Sequence, residues 1–132
     1  MAGTDITAHP IHLGLGASAE IEPYFTGEMD WYTGYVERHD DEGSDGRLVS
    51  MQTIRESRDV WEMHPQGTEV VLCTAGSIVL CQEDANGHVE TVSLGAGQYA
   101  IIEPGTWHTA DVENEATVLF ITSGLGTQHR PR

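Results

Sequence analysis

His64, Glu69 and His108 carry the most suggestive chemistry in this chain, two imidazoles and a carboxylate within the stretches WEMHPQGTEVVLCTAG (61–76) and GQYAIIEPGTWH (97–108). Two imidazole nitrogens and one carboxylate oxygen gathered on one side of a cation leave its other positions open, which is what a non-haem divalent metal centre requires. Glu62, two residues before His64, adds a second carboxylate. It is the candidate catalytic residue, either as a fourth, oxygen ligand or as a nearby base acting on bound water or substrate. Hard oxygen donors beside imidazole favour Mn, Fe(II), Zn or Ni over thiophilic metals.

Strand-like sequence must hold these groups. Val/Ile/Thr/Tyr-rich runs recur at 31–37, 47–54, 60–64, 69–74, 78–82, 88–94, 98–102, 108–112 and 117–122. Each is short and bounded by turn chemistry such as Pro65-Gln66-Gly67, Asn86-Gly87 and Pro104-Gly105. That rhythm predicts an all-β sandwich or barrel. No helix-period run of useful length is visible, and at most a turn is expected near Pro23 to Met29. Glu62 and His64, two apart on one strand, share a face. Pro65-Gln66-Gly67 then turns the chain into the strand that Glu69 begins, and Pro104-Gly105 reverses it before His108.

Asn86-Gly87 predicts a type I′ hairpin, and Ala75-Gly76 a second hairpin whose arms carry Cys73 and Cys81 on opposite faces. No disulfide is expected between them. For the run 47–54 either Leu48, Ser50, Gln52 and Ile54 face inward, or Val49, Met51 and Thr53 do, and a slip of one residue exchanges a polar cavity for an oily one. Trp61, Trp107, Tyr99 and Phe120 are expected in the core or pocket wall.

A chain of 132 residues is expected to form a single domain, with 1–19 and 124–132 as loose arms around a barrel at about 45–123. Asp and Glu number 21 against 6 Lys plus Arg, a formal charge of -15. Such a surface repels phosphate backbones and anionic lipid, so neither nucleic acid nor membrane is expected as a partner. The first twenty residues hold no Lys or Arg and no sustained apolar run, which makes a cytoplasmic protein the default expectation.

The two motifs together resemble those of the cupin superfamily. The first cupin motif is a His-x-His pair, a carboxylate five residues after the second His and a glycine seven further on; here Glu62-Met63-His64, Glu69 and Gly76 stand in those places. The second is a glycine, five residues, a Pro-x-Gly-type turn and a His; here Gly97, Glu103-Pro104-Gly105 and His108 stand there, the proline one place late. The resemblance implies a double-stranded β-helix, or jelly-roll barrel, with a divalent metal inside held by His64, Glu69 and His108. Glu62 replaces the usual first His. With the metal kept, Glu62 is a fourth ligand or a base; with the metal lost, Glu62 hydrogen-bonds to His64, or to Arg/Lys groups, in a pocket for an organic ligand.

Weaker signals fall away. Gly14-Leu15-Gly16-Ala17-Ser18-Ala19 fits a dinucleotide fingerprint with Ala last, but no strand precedes it and no βαβ unit follows. The segment 41–46 lacks the ligand placement of a calcium loop and reads as a solvated acidic loop. His9 and His12 sit in the N-terminal arm without a third partner. Three functions follow: a metal-dependent isomerase, lyase or dioxygenase acting on a small oxygen-containing metabolite; a non-catalytic small-molecule binder or sensor, with or without metal; and a structural dimer with a vestigial site. A small-molecule ligand and a homodimer paired through sheet edges are the expected partners.

Overall fold

Short alternating runs separated by turn residues give ten strands and one α-helix among the described residues, 2–132, of the computed structural model. In order they are β1 (Ile11–Leu13), β2 (Ala19–Ile21), α1 (Met29–His39), β3 (Arg47–Ile54), β4 (Val60–Met63), β5 (Glu69–Glu83), β6 (Val89–Gly95), β7 (Tyr99–Ile102), β8 (His108–Asp111), β9 (Ala116–Thr122) and β10 (Gln128–Pro131). Every pairing is antiparallel. β5 is shared by two sheets: its first half pairs with β7 and β9, its second with β6 and β8. One sheet runs β7-β5-β9-β3-β1-β2 and the other β6-β5-β8-β4-β10. This is the expected all-β jelly roll, and Val71, Cys73, Ile78, Leu80, Ile102 and Val118 fill its core.

The crossing between sheets falls where the sequence suggested a hairpin. Ala75-Gly76 does not reverse the chain; the β5–β9 ladder slips between Cys73 and Ala75, and Gly76 takes φ +72. A Cβ on Gly76 would stand 2.2 Å from the Glu115 carbonyl oxygen, so glycine alone lets β5 bend past that loop. Cys73 and Cys81 therefore lie eight residues apart on one strand, buried and free, beyond disulfide reach. The hairpin between β5 and β6 does form, by a different turn. Gly87 has φ +82 while Asn86 keeps negative φ, and Asp84 Oδ1 accepts hydrogen bonds from the Asn86 and His88 amides. That is a type I turn closed by a left-handed glycine, not type I′.

Residues 31–37, expected as a strand, lie in α1. The aromatic, β-branched run Trp31-Tyr32-Thr33-Gly34-Tyr35-Val36 reads as strand locally. Tertiary packing decides otherwise: Trp31 and Tyr35, four apart on one face, stack at 5.8 Å with planes 4° apart and bury themselves with Leu48. Phe25, Tyr32 and Val36 pack around them, and the Trp31 indole N–H donates to the Pro23 carbonyl at 3.2 Å. α1 thereby covers one side of the barrel.

The arms are tied down where loose segments were expected. β1 pairs with β3, and His12 on it is 1% exposed. Its Nδ1 meets the Tyr35 hydroxyl at 2.6 Å and its Nε2 meets Glu42 at 2.6 Å. Glu42 thus turns inward from the acidic loop. β10 pairs with β4, and Arg130 lies over the rings of Trp61 and Trp107, 5.3 and 4.5 Å from their centroids. These two tryptophans, half-buried, form a clamp for the C-terminal strand, and Tyr99 is 63% exposed.

Candidate metal centre

The four predicted site residues converge. β4 ends beside His64, and Val60, Glu62 and His64 alternate onto the inner face. Glu62 pairs across to His108, the first residue of β8, and to His129 on β10. Glu69 opens β5, opposite Ile102. The Gly105 amide donates to the His64 carbonyl at 2.9 Å, so the Pro104-Gly105 turn locks the two motifs together. His64, Glu69 and His108 are buried, and Glu62 faces the cavity, 31% exposed.

His64 Nε2 lies 2.9 Å from Glu62 Oε1 and 3.1 Å from Glu69 Oε2, while His108 Nε2 lies 3.2 Å from Glu69 Oε1. One ligand atom from each of the four residues falls within 4.8 Å of the others. The opposite ring nitrogens fix the tautomers. Thr127 donates its hydroxyl hydrogen to the Gly124 carbonyl at 2.9 Å, so its oxygen, 2.7 Å from His64 Nδ1, accepts from that nitrogen. His108 Nδ1 donates to the Thr106 carbonyl at 3.0 Å. With Nδ1 protonated in both neutral rings, each Nε2 turns a lone pair toward carboxylate oxygens. His64 Nε2 is buried without a hydrogen bond, the one such side-chain atom among the described residues. Lone pairs facing anionic oxygens near 3 Å repel unless a proton or a cation stands between them, and imidazole nitrogens oriented through their far N–H are the usual arrangement around a metal.

The charges are strongly coupled. Burial, the largest single influence, opposes ionisation of His64, yet Glu62 and Glu69 outweigh it and raise its pKa to about 9. Burial likewise opposes the Glu69 charge, but His108 and His64 hold its pKa down at about 2. Glu62 is lowered too, against its burial, chiefly by His64. Without a metal, a proton on His64 neutralises part of this cluster; a divalent cation could take both Nε2 lone pairs at once.

Sequence reasoning missed several neighbours. Thr122 donates to Glu69 Oε2 at 2.7 Å, and His129 Nε2 stands 2.9 Å from Glu62 Oε2. Thr127 and His129 belong to the C-terminal segment expected to be loose; the signal for them was the turn Gly124-Leu125-Gly126, which returns the chain to the barrel mouth. A cavity of about 600 Å³ opens over the site, lined by Tyr32, Ser50, Gln52, Arg58, Phe120 and Thr122 among others. Leu48, Ser50 and Gln52 of β3 face it, as the first of the two alternatives had it.

The chain belongs to the cupin family: the model of the cupin domain matches residues 50–123, more than half of its length. Among solved structures, a cupin-2 domain containing protein from Shewanella frigidimarina is similar at 20% identity and TM-score 0.50, over 65% of this chain and 71% of that one. Oxalate decarboxylase from Bacillus subtilis, a protein with Mn(II) centres, is similar at 14% identity and TM-score 0.55, over 73% of this chain. The match spans 26% of that much longer chain. At these identities the likeness is one of fold. No curated protein matches the chain.

Proposed function

We propose that this cupin is a divalent-metal-dependent enzyme acting on a small oxygen-containing molecule, with the ion held by His64 Nε2, His108 Nε2 and a Glu69 oxygen, and Glu62 at its open side. The observation that carries the reading is the pair of Nε2 lone pairs aimed at one carboxylate, with His64 Nε2 buried and unsatisfied. Two imidazoles with carboxylate oxygens suit Mn, Fe(II), Zn or Ni, the oxygens favouring the harder of these. When bound, such an ion supplies Lewis acidity to a substrate oxygen.

The remaining chemistry belongs to the chain. Glu62 Oε2 takes a hydrogen bond from His129, and its carboxylate borders the cavity, in place to accept a substrate proton and return it. Thr122 holds Glu69, and α1 contributes Tyr32 to the cavity wall. Metal-assisted isomerase and lyase reactions use this combination of a polarised oxygen and a nearby base, and a dioxygenase would need Fe(II) or another redox-active ion at the same donors.

Elemental analysis of protein purified without an affinity tag tests the proposal. About one metal ion per chain is expected, lost in His108→Ala and retained in Glu62→Gln. A wild-type protein that stays metal-free after incubation with Mn, Fe(II), Zn and Ni sinks it.

A further inference from the structure

This acidic protein has six arginines and no lysine. Four of them bind carboxylates: Arg38 with Glu22, Arg55 with Glu115, Arg130 with Glu83 and Arg132 with Asp111. Arg47, at the start of β3, lies outside the cavity wall. Arg58 lies in that wall, together with Glu62, His64 and Glu69. Its side chain is half-buried and forms no hydrogen bond or ion pair among the described residues.

The fold holds Arg58 in place by its backbone alone. Its amide donates to the Ala110 carbonyl at 2.9 Å and its carbonyl accepts from Arg132 Nη1 at 3.0 Å. The guanidinium sits 6.0 Å from the centroid of the Phe120 ring, another cavity residue. A guanidinium keeps its charge, carries five N–H donors in a planar fork and matches an oxyanion with two parallel hydrogen bonds. With 21 acidic residues available, one left unpaired in a half-enclosed cavity has its donors reserved for something that is not protein.

Charge balance points the same way. With both histidines neutral, Glu62, Glu69 and Arg58 leave one negative charge in the site, and a divalent ion turns this into one positive charge. An anionic ligand opposes that charge. Arg58 and Glu62 lie four positions apart, at most about 13 Å of extended backbone, part of which the long arginine side chain spans. A ligand touching both ends is therefore short.

We propose that the site takes a small organic acid of a few carbons, its carboxylate held by Arg58 while a second oxygen faces Glu62 and the ion; this rests on the metal reading above. Arg58 is a substrate-binding residue that selects for negative charge.

Mn-loaded, untagged wild type, Arg58→Lys and Arg58→Gln are titrated calorimetrically with malonate and succinate, and with the uncharged malonamide and succinamide, manganese content being measured on the same samples. Wild type is expected to bind at least one diacid about tenfold or more tightly than its diamide. Arg58→Gln should lose about tenfold or more of that diacid affinity with manganese unchanged, and Arg58→Lys should fall between. Diacids binding no better than diamides, undiminished binding by Arg58→Gln, or no diacid binding up to about 10 mM, each overturns the assignment. Manganese retained in such a sample leaves the metal reading standing. Diacid binding by protein that holds no manganese and takes up no Fe(II), Zn or Ni either, abolished in Arg58→Gln, supports Arg58 and sinks the metal reading instead.

Discussion

Acidity should act on this protein in two opposite ways through a single proton. In the metal-free protein the His64 pKa is raised from 6.5 to about 9 by Glu62 and Glu69, which outweigh its burial. A group whose folded pKa is raised contributes stability that is complete below its unfolded pKa and is lost as pH rises through the folded one. The window is therefore 6.5 to about 9, and at 1.36 kcal/mol per pH unit it corresponds to about 3 kcal/mol. His64 is only 5% exposed, so solvent screening removes little of this. A metal ligand must surrender the same proton. At pH 7 about 1% of His64 is deprotonated, so apparent metal affinity should climb about tenfold from pH 7 to pH 8 and level off above the His64 pKa. Urea melts of chelator-treated wild type and His64→Gln from pH 6 to 9 give the first quantity as a difference. Calorimetric titration with Mn²⁺ in two buffers of different ionisation heat gives the second, with the number of protons released. A wild-type minus His64→Gln difference that stays flat across the window would refute the reasoning. So would Mn²⁺ affinity that is the same at pH 7 and 8 with no proton released.

Thr127→Val preserves volume but removes the oxygen that receives His64 Nδ1–H at 2.7 Å, and should cost about 10- to 100-fold in metal affinity by chelator competition. Gly76→Ala puts a Cβ 2.2 Å from the Glu115 carbonyl at positive φ and should lower unfolding free energy by more than about 2 kcal/mol in urea. A near-neutral effect would mean that the strand crossing is not tightly set. Tyr35→Phe leaves the buried His12 Nδ1 without its 2.6 Å partner and should cost about 1–3 kcal/mol of stability, with metal content by elemental analysis unchanged.

The ligand spacing could be read before the fold was known because it depends on local rules: alternation along β4 put Glu62 and His64 on one face, and turns at 65–67 and 104–105 brought Glu69 and His108 to strand starts. α1 could not, because Trp31 and Tyr35 gain their burial from Leu48 and Phe25, residues outside the helix. Gly76 was misread for a related reason. Ala-Gly between two apolar runs looks like a reversal, and only the position of Glu115 shows that the chain bends on through a bulge without turning back. Thr127 and His129 were invisible as site residues until the pairing of β10 with β4 placed them at the barrel mouth.

The same residue types also gather elsewhere, and the contrast shows what spacing cannot supply. His12, His39 and Glu42 bring ligand atoms together as closely as the barrel site does, with Glu22 beside them. A metal lies near the plane of each imidazole that binds it, so two rings share an ion only if their planes cross at that point. The rings of His12 and His39 are stacked at 3.5 Å and 13°, so their planes do not meet nearby. Every nitrogen there also has a partner: Tyr35 and Glu42 for His12, Glu42 and Glu22 for His39. In the barrel the rings of His64 and His108 are tilted by 43° at 5.3 Å, and one nitrogen is left bare. The first cluster is a strut that fastens β1 to α1 and the acidic loop; the second gathers donor atoms that could share one cation. What separates a strut from a candidate metal centre here is ring orientation and one buried nitrogen without a hydrogen bond, both set by residues as distant in sequence as Thr127.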